Sequence, residues 1–359
     1  MTMPMPLDQF VRLPRLLRAE IVDGLASALD VVAGVAAPSH RFLRHQWFAA
    51  ALKAYGGQAQ TLLVNAEQLP ALALPIVSAG PAWLRLAMVP GSYWPFRSFP
   101  LAETAGAEVL EAALAMLANQ VNALRIGPVY DDDPAAGPLI EAARAQGWVA
   151  LERTIAQTFL LDMAALSAER TWPRASTLRK NRYHEKQLAA LGRLDWKFLS
   201  ASDWPYACET LEIIERASWI SERTSGADAK FTASGHGIFW RALAEDPALA
   251  EMMRGALLSI GGKPAAFSFD LEVGALRYAI ANSYDPAFAK HSPGKSLYYR
   301  NLANAMKNGT HVIDWGAGDS GYKSVIGAAP GPMIRDWLLL RPGLPSRLAP
   351  VIKLMWRGR

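Results

Sequence analysis

Apolar and polar positions alternate along the chain in two successive runs of similar order, and each run predicts a series of helices and strands. The first run opens with a helix over 39–55, which Ser39 can cap and Gly56 can end. The pattern then predicts, in order, strands at 61–65, 71–77 and 83–89, a helix over 103–120, a strand at 123–127, a helix over 137–146 and strands within 148–162. The first run therefore combines helices with short strands.

The second run repeats this order of elements without strong residue identity. It is predicted to contain a strand at 194–200, helices over 203–222 and 235–246, strands at 252–260, 263–272 and 275–283, a helix over 293–308, a strand at 311–315, a short helix at 320–326 and a strand at 332–340. Alternation of Phe267 and Phe269 with Ser268 and Asp270 is typical of a half-buried strand. The two runs together predict an α+β fold with a mixed, mainly antiparallel sheet flanked by helices in each run.

The composition is that of a folded protein with a full core. Of 359 residues, 51% are hydrophobic and 19% are charged, which excludes disorder for most of the chain. The single cysteine, Cys208, excludes a disulfide framework and a multi-cysteine metal site, and the six histidines lack metal-ligand spacing. No apolar run reaches the roughly 18 residues of a membrane span. Because Asp8 and Arg12 interrupt any apolar core of a signal peptide, we expect a cytoplasmic protein.

Positive charge is concentrated at the C-terminal end. The formal net charge is +5, and residues 341–359 contain basic residues but no acidic one. Apolar residues, among them Trp356, are interspersed with these charges, as in segments that bind a membrane surface. A solvated terminus with a few residues docked on the body is the alternative. The mixed basic and apolar segment 10–18 also favours an acceptor at a membrane.

The segment 290–296 carries candidate phosphate-binding chemistry. It lies between a predicted strand and a predicted helix, where small residues let backbone N–H groups approach a ligand and the helix N-terminus adds partial positive charge. Lys290 and Lys295 add full charges, so the segment can bind a pyrophosphate. An ordinary helix start, with Ser292 as the cap and Pro293 at the first helical position, explains the same residues.

A second basic segment, 174–197, contains Arg179 and Lys180. Arg179, Arg182 and Lys186 have helical spacing and share one side of a predicted helix. Such a face can bind the phosphates of a donor, a tRNA, a carrier protein or a lipid headgroup. A solvated helix face is the alternative.

Several motifs follow one another in an order that resembles a known family. They are Phe42-Leu43-Arg44-His45-Gln46-Trp47-Phe48, Leu178-Arg179-Lys180-Asn181-Arg182, Ser283-Tyr284-Asp285-Pro286-Ala287-Phe288, Ser292-Pro293-Gly294, and Ile313-Asp314-Trp315-Gly316-Ala317-Gly318-Asp319 with Tyr322-Lys323. The set resembles the GNAT (GCN5-related N-acetyltransferase) superfamily, and most closely its branch of CelD-type acetyltransferase-like proteins and Fem aminoacyltransferases of peptidoglycan synthesis. The resemblance covers residues 40–340 approximately.

This resemblance implies two tandem GNAT-like lobes. Residues 1–165 are expected to form the first lobe and residues 166–340 the acyltransferase lobe, with a basic amphipathic tail at 341–359. The first-lobe counterpart of the donor loop, residues 95–100, lacks glycine. The first lobe is therefore expected to serve packing or acceptor binding.

In the GNAT superfamily a loop of the pattern Arg/Gln-x-x-Gly-x-Gly/Ala holds the pyrophosphate of an acyl-CoA. His291, Gly294 and Ser296 take the corresponding places here, so the first and last positions depart from the pattern. The donor-binding residues that the resemblance implies are Lys290, His291, Ser292, Gly294, Lys295 and Ser296.

The resemblance also places the end of the predicted strand 311–315 beside the acyl group. The catalytic candidates there are Asp314, Asp319, Tyr322 and Lys323. Either aspartate can orient an amine or accept its proton, the tyrosine can donate to the departing thiolate, and the lysine can hold a phosphate or carboxylate. Asp319 as a helix N-cap and Lys323 as a surface charge are the alternative interpretations. The implied substrate-binding residues are Arg179, Lys180, Trp219, Arg223, Tyr284 and Asp285.

The sequence therefore predicts an N-acyltransferase that moves an acyl group from a thioester, acyl-CoA or acyl-carrier protein, to an amine of an envelope-related acceptor. An amino sugar of a polysaccharide, a peptidoglycan precursor and a lipid or long-chain base are the acceptors considered. No permanently bound cofactor, metal or nucleic-acid partner is expected, and the protein is expected in the cytoplasm or on the inner membrane surface. A non-catalytic, membrane-associated binding protein with a decayed site and a tRNA-dependent aminoacyltransferase are the alternatives.

Overall fold

A computed structural model describes residues 16–91, 96–169, 172–218, 228–319 and 321–357. Twelve strands in these ranges form one continuous sheet. They are β1 (Leu17–Asp23), β2 (Ala59–Ala66), β3 (Leu69–Ala79), β4 (Leu86–Met88), β5 (Ala123–Tyr130), β6 (Val149–Asp162), β7 (Leu194–Leu199), β8 (Met253–Ile260), β9 (Lys263–Val273), β10 (Leu276–Tyr284), β11 (Val312–Ala317) and β12 (Ala329–Leu340).

The strand order shows two similar halves that exchange their last strands. The order is β1-β2-β3-β4-β5-β12-β6-β11-β10-β9-β8-β7. The first half (β1 to β6) thus provides the strand that pairs with β11, and the second half (β7 to β12) provides the strand that pairs with β5. The β4–β5 and β10–β11 pairings are parallel, and the other pairings of the described strands are antiparallel. The predicted mixed, mainly antiparallel α+β fold with two similar lobes is confirmed.

Helices cover both faces of this sheet. They are α1 (Ala28–Gly34), α2 (His45–Tyr55), α3 (Ala107–Gln120), α4 (Ala136–Ala145), α5 (Met163–Glu169), α6 (Ala175–Ala189), α7 (Ala207–Ala217), α8 (His236–Ala244), α9 (Pro247–Ala250), α10 (Pro293–Lys307), α11 (Lys323–Ile326), α12 (Leu344–Arg347) and α13 (Ala349–Arg357). Trp47 on α2 joins the halves, because its ring lies 4.8 Å from that of Phe239 and 6.1 Å from that of Trp240 on α8. The largest apolar core is therefore shared by the two halves.

The helix predicted over 39–55 is shorter than expected. Residues Pro38–His40 form a 3-10 turn, and α2 begins only at His45. The backbone N–H of His45 donates to Asp30 Oδ1 at 3.0 Å, so a side chain of α1 supports the start of α2. The prediction of Ser39 as the cap was wrong because the stabilising carboxylate comes from an earlier helix.

Two other predicted helices also begin later. The helix predicted at 103–120 begins at Ala107, because the preceding residues Leu101 and Ala102 form β-bridges with Leu72 and Ala36. The helix predicted at 203–222 is replaced by a 3-10 turn at Ala201–Asp203 and by α7, which ends at Ala217. Residues 219–222 lie outside the described part of the chain.

The strand predicted to be half-buried, β9, is covered on both faces. Ser268 and Asp270 are 2% exposed, like the phenylalanines that alternate with them. Asn301 on α10 donates to Ser268 Oγ at 3.0 Å and to Asp270 Oδ2 at 2.7 Å. The polar face is therefore buried against hydrogen-bonding partners, which fixes α10 on the sheet.

The start of the described chain is a sheet edge. Residues Leu17–Asp23 pair with β2 in antiparallel register, although no strand was predicted there. The last two residues of the amphipathic segment 10–18 belong to this strand, and residues 10–15 lie outside the described part.

The basic C-terminal segment forms α12 and α13. On one side of α13, Ala349 is buried and the Trp356 ring lies 5.1 Å from Arg125 Cζ and 4.8 Å from Arg153 Cζ. The opposite side exposes Leu354 and Met355 to 77% and 63%. This helix therefore both docks on the body and presents an apolar surface. Within the described ranges, no helix combines the length and the apolar character that a bilayer crossing requires.

Candidate active site

The parallel strands β10 and β11 separate partway along their length. Their register pairs Leu276 with Val312, Arg277 with Ile313 and Tyr278 with Asp314, and no pairing follows. The register between β10 and β9 shifts between Ala279 and Ala281, which indicates a β-bulge immediately after the last paired position. The strands consequently open a gap in the sheet beside Tyr278 and Asp314.

The segment that follows β10 leads to the N-terminus of α10, as predicted. Asp285 caps a 3-10 turn at Pro286–His291 by accepting the N–H of Ala287 at 2.9 Å. Ser292 then adopts the left-handed conformation (φ 50°, ψ 54°) and its side chain makes no capping bond. The predicted capping role of Ser292 was wrong, because a capping side chain requires an extended backbone. The described residues thus provide no side-chain cap to this helix end.

Gly294 allows a close approach between the first turn of α10 and β10. A Cβ at this position would lie 3.2 Å from Cδ1 of Tyr284. Ser296, one half-turn further, is 1% exposed, and its hydroxyl has no hydrogen-bond partner among the described residues. The structure therefore brings the predicted donor-site residue Gly294 against the predicted substrate-site residue Tyr284.

Positive side chains from α6 and from the donor loop lie near one another. Burial and then the charges of Lys180, His291 and Lys295 lower the pKa of His184 on α6. Arg300 on α10 donates to both carboxylate oxygens of Glu185 at 2.8 and 2.7 Å, which holds α6 against α10. Two further predicted residues are exposed nearby: Arg179 on α6 and Lys290 in the 3-10 turn before α10.

Asp314 is the most unusual acid at the gap. It is 1% exposed, its Oδ1 accepts the N–H of Gly316 at 2.7 Å, and its Oδ2 has no hydrogen-bond partner in the described part of the protein. Burial raises the pKa of Asp314 to about 7, against the opposing effects of the Gly316 bond and the charge of Lys323. Such a carboxylate can accept a proton near neutral pH.

The other three catalytic candidates follow β11: Asp319 and Tyr322 lie before α11, and Lys323 is the first residue of that helix. Asp319 accepts the N–H of Gly321 at 2.7 Å and the hydroxyl of Ser324 at 2.8 Å, as a turn-stabilising side chain does. Lys323 is buried and donates to the carbonyls of Gly316 and Ala317, both at 3.0 Å. Its ammonium thus points to the backbone that carries Asp314. The Tyr322 ring lies 5.8 Å from Trp315 and 6.4 Å from Tyr298.

Trp219 and Arg223, which were predicted to bind the acceptor, lie outside the described residues. A cavity of about 180 Å³ lies beside Asp314, and the sequence did not predict it. Its lining residues are Ser39, His40, Phe42, Phe96, Ser98, Tyr130, Asp132, Asp133, Pro134, Leu160, Leu276, Tyr278, Asp314 and Pro332. The only signal for it was the acidic loop before Pro134, which was interpreted as a turn. Among the described residues, no group of histidine, cysteine and acidic side chains suits a metal ion.

Comparison with known proteins supports this assignment of elements. Residues 175–324 match the sequence model described as the Acetyltransferase (GNAT) domain. A search among curated proteins finds no match.

Among solved structures, FemX is similar, with a TM-score of 0.58, 12% identity and coverage of 93% of this chain and 100% of FemX. A conserved protein of unknown function from Bacteroides thetaiotaomicron VPI-5482 has a TM-score of 0.57, 12% identity and coverage of 90% and 100%. The C-terminal domain of a protein from Agrobacterium fabrum, described as a lysylphosphatidylglycerol synthetase, has a TM-score of 0.55, 12% identity and coverage of 92% and 94%. Residues 175–324 therefore resemble a GNAT acetyltransferase domain in sequence, and the chain as a whole shares its fold with FemX.

Proposed function

We propose that this protein is an N-acyltransferase in which Asp314 accepts a proton from an amine that attacks an acyl thioester. The observation that carries the proposal is the buried carboxyl oxygen of Asp314, which has no partner among the described residues and lies at the last paired position before β10 and β11 separate. A GNAT-type acyltransferase holds its acyl group in a gap of this kind, and the match of residues 175–324 supports acyl transfer.

The proposed reaction is a direct transfer. The amine nitrogen forms a bond to the acyl carbon, the carbon–sulfur bond breaks, and the nitrogen loses one proton to Asp314. The sulfur leaves as a thiolate and takes up a proton to become the free thiol. During the attack the carbonyl oxygen becomes negative, and the backbone N–H groups around Ile280, the extra residue of the bulge, are suited to stabilise it.

The donor is proposed to bind across the first turn of α10. Among the described residues no side chain caps this helix end, and the basic residues Lys180, His184, His291 and Lys295 lie near it. Phosphate groups bind favourably to such an uncapped helix N-terminus. Acyl-CoA and the phosphopantetheine arm of an acyl-carrier protein both carry an acyl thioester and phosphate, so both suit this surface.

The acceptor is proposed to be an amine of an envelope-related molecule. The similar structures include FemX and the C-terminal domain of a protein described as a lysylphosphatidylglycerol synthetase, and the second description contains the name of a lipid. A polysaccharide amino sugar, a peptidoglycan precursor and a lipid or long-chain base remain the proposed acceptors.

A thermal-shift titration tests the donor. We expect acetyl-CoA, palmitoyl-CoA or free CoA to stabilise the protein, because a ligand that binds only the folded state at 100 times its Kd adds about 2.7 kcal/mol. Lys295→Gln removes a charge at the donor end of α10 and is expected to weaken donor binding about tenfold. Lys307→Gln, at the other end of the same helix, is the matched control and is expected to bind as the unaltered protein does.

Two outcomes would count for the alternatives. Absence of stabilisation by any CoA compound and by an acyl-carrier donor would favour a non-catalytic binding protein. Transfer that stops after ribonuclease treatment would favour a tRNA-dependent aminoacyltransferase, since a thioester donor is not affected by ribonuclease.

The tail is proposed to bind an anionic membrane surface through the exposed side of α13. We expect binding to phosphatidylglycerol vesicles that weakens with added salt, because each basic residue near such a surface contributes about 1 kcal/mol. Replacing Val351, Leu354 and Met355 together by serine should reduce vesicle sedimentation and leave the melting temperature unchanged, since all three are exposed. Trp356→Ser is the contrasting variant and should lower the melting temperature. Equal sedimentation of the triple variant would contradict this role of the tail.

A further inference from the structure

We propose that the cavity between the two halves receives the acceptor as a protonated primary amine at the end of a slender alkyl chain, so that residues of the first half select the substrate. This inference rests on the proposed function and names its acceptor more narrowly. The cavity is formed by Phe42, Phe96 and Tyr130 from the first half and by Tyr278 and Asp314 from the second.

The lining of the cavity has the chemistry of a site for an ammonium group. Four of its residues are aromatic, and three are acidic: Asp132, Asp133 and Asp314. No lysine or arginine lines it in the described ranges. An ammonium is attracted to aromatic ring faces and to carboxylates, and this attraction increases when water is excluded.

Two residues that line the cavity each have a buried side-chain polar atom without a hydrogen-bond partner among the described residues. These atoms are the hydroxyl of Tyr130 and Oδ2 of Asp314, which come from different halves. Buried polar atoms are generally hydrogen-bonded, so a pair of such atoms on one cavity indicates a ligand that completes them. A primary ammonium has three N–H donors, enough for both atoms.

Asp133 does not bind the ammonium in this proposal, because its carboxylate already accepts four hydrogen bonds within the protein. It accepts hydrogen bonds from His40 (3.2 Å), Ser98 (2.9 Å), and the backbone N–H groups of Ala135 (3.0 Å) and Ala136 (2.7 Å). The His40 charge and hydrogen bond, with these backbone bonds, hold the pKa of Asp133 below its usual range despite burial. Asp133 therefore positions His40 and the first-half wall. Of the other two acids, Asp132 is exposed to solvent and Asp314 is buried, so Asp314 is the acid left to bind the ammonium away from water.

The walls from the two halves are held at a fixed separation. Phe42 packs edge-on against Tyr278 with ring centroids 6.2 Å apart. Burial, followed by the charges of Asp133 and Asp132, raises the pKa of Tyr278. The exchanged strands β6 and β12 join the halves in one sheet. The cavity therefore lies between two halves that one continuous sheet connects.

The volume limits the shape of the acceptor. The cavity measures about 180 Å³. Cavities of about 150 Å³ bind benzene, so a group of similar size, such as a short unbranched aminoalkyl end, fills this one. A whole amino sugar with its hydroxyl groups is larger and more polar than this lining suits. The inference therefore favours an aminoalkyl acceptor among those proposed above.

The proton balance follows from this mode of entry. An ammonium must lose two protons during amide formation: the first passes to the Asp314 carboxylate before the attack and from there to water, and the second passes to the departing sulfur. The charged and titratable groups near Asp314 are Lys323 on α11, Tyr278 on β10, and His40 with Asp132 and Asp133 from the first half. As pH rises towards the Asp314 pKa of about 7, ammonium binding should strengthen about tenfold per pH unit. Above that pH the affinity should level off.

The experiment compares hexylammonium with hexanol as probes, by calorimetric titration of the full chain without donor. We expect the ammonium to bind at least about tenfold more tightly than the alcohol. Asp314→Asn should abolish this preference, and Tyr130→Phe should weaken ammonium binding about threefold to tenfold while keeping the ring that packs on Phe96. Tyr206→Phe, at an 80% exposed position, is the control and should not alter binding.

Equal binding of both probes, no binding of the ammonium, or unchanged binding in Asp314→Asn would overturn the inference. Acylation of hexylamine by the donor separates the two proposals. Ammonium binding without acyl transfer would reject the proposed function and leave the cavity assignment standing. Transfer to amines with a KM that Tyr130→Phe does not change would reject the cavity assignment and leave the acyltransferase standing.

Discussion

Asp314→Asn is expected to lower kcat about 10²- to 10⁴-fold, the range found when a positioned general base is removed. The substitution is nearly isosteric, and the amide oxygen can still accept the N–H of Gly316 that Oδ1 accepts now. The loss therefore reports the missing proton acceptor rather than a displaced strand. Steady-state acyl transfer with a saturating donor, alongside a melting curve, measures both quantities.

The pH dependence gives a second readout with a defined sign. Asp314 must be ionised to accept a proton, and its pKa is about 7. In the unaltered protein kcat should rise about tenfold per pH unit below this value and reach a plateau above it, whereas the residual activity of Asp314→Asn should lack this rise. An Asp314→Asn variant that keeps the same pH profile would show that another group accepts the proton.

Stability should change with pH in the opposite direction. The folded pKa of Asp314 lies above its unfolded value, so the folded state binds more protons between the two values. The contribution of this residue to the free energy of unfolding is therefore greatest at low pH and falls as pH rises towards 7. In Asp314→Asn this decline should be absent, which urea unfolding at several pH values can measure.

Asp319→Asn distinguishes the two acids that the sequence left as alternatives. Asp319 is exposed and accepts bonds from Gly321, Lys323 and Ser324, which stabilise the turn before α11. The asparagine oxygen can still accept the N–H groups of Gly321 and Lys323, so the melting temperature should change little and kcat should fall much less than in Asp314→Asn.

The donor segment could be predicted because its signals are local. Pro293 and Gly294 mark a helix start after a strand, and the structure has α10 beginning at Pro293 after β10. The cavity could not be predicted in the same way. His40 and Asp133 are 93 positions apart, and Asp314 meets them only because the halves share one sheet. Sequence spacing contains no information on such a meeting.

Long-range partners also explain the errors in element boundaries. Asp30 stabilises the start of α2 from another helix, and Asn301 satisfies the polar face of β9 that the alternating pattern predicted to be exposed. The exchange of β6 and β12 is a further case, because the register of Trp337 with Glu152 and with Ile126 depends on strands from both halves. Local periodicity predicts that these strands exist but not which strands they join.

Gly294→Trp is expected to reduce acyl transfer about 100-fold or more and to raise the Kd of the donor by the same factor. Even a Cβ at this position would lie 3.2 Å from the Tyr284 ring, so an indole must turn outward across the first turn of α10. It would then cover the backbone N–H groups and separate the donor from the charges of Lys295 and His291. Donor titration by calorimetry and single-turnover transfer measure the two effects.

Gly34→Trp provides the matched control for this variant. Gly34 ends α1, has nothing within 4 Å of an added Cβ, and lies in the first half away from the donor loop, so the same change there should leave transfer intact. Gly294→Ala guards against misfolding of the larger variant, because a single methyl group can be accommodated by a small shift of Tyr284 and should give an intermediate loss. Folded Gly294→Trp protein that transfers acyl groups at the rate of the Gly34→Trp control would show that the donor binds elsewhere.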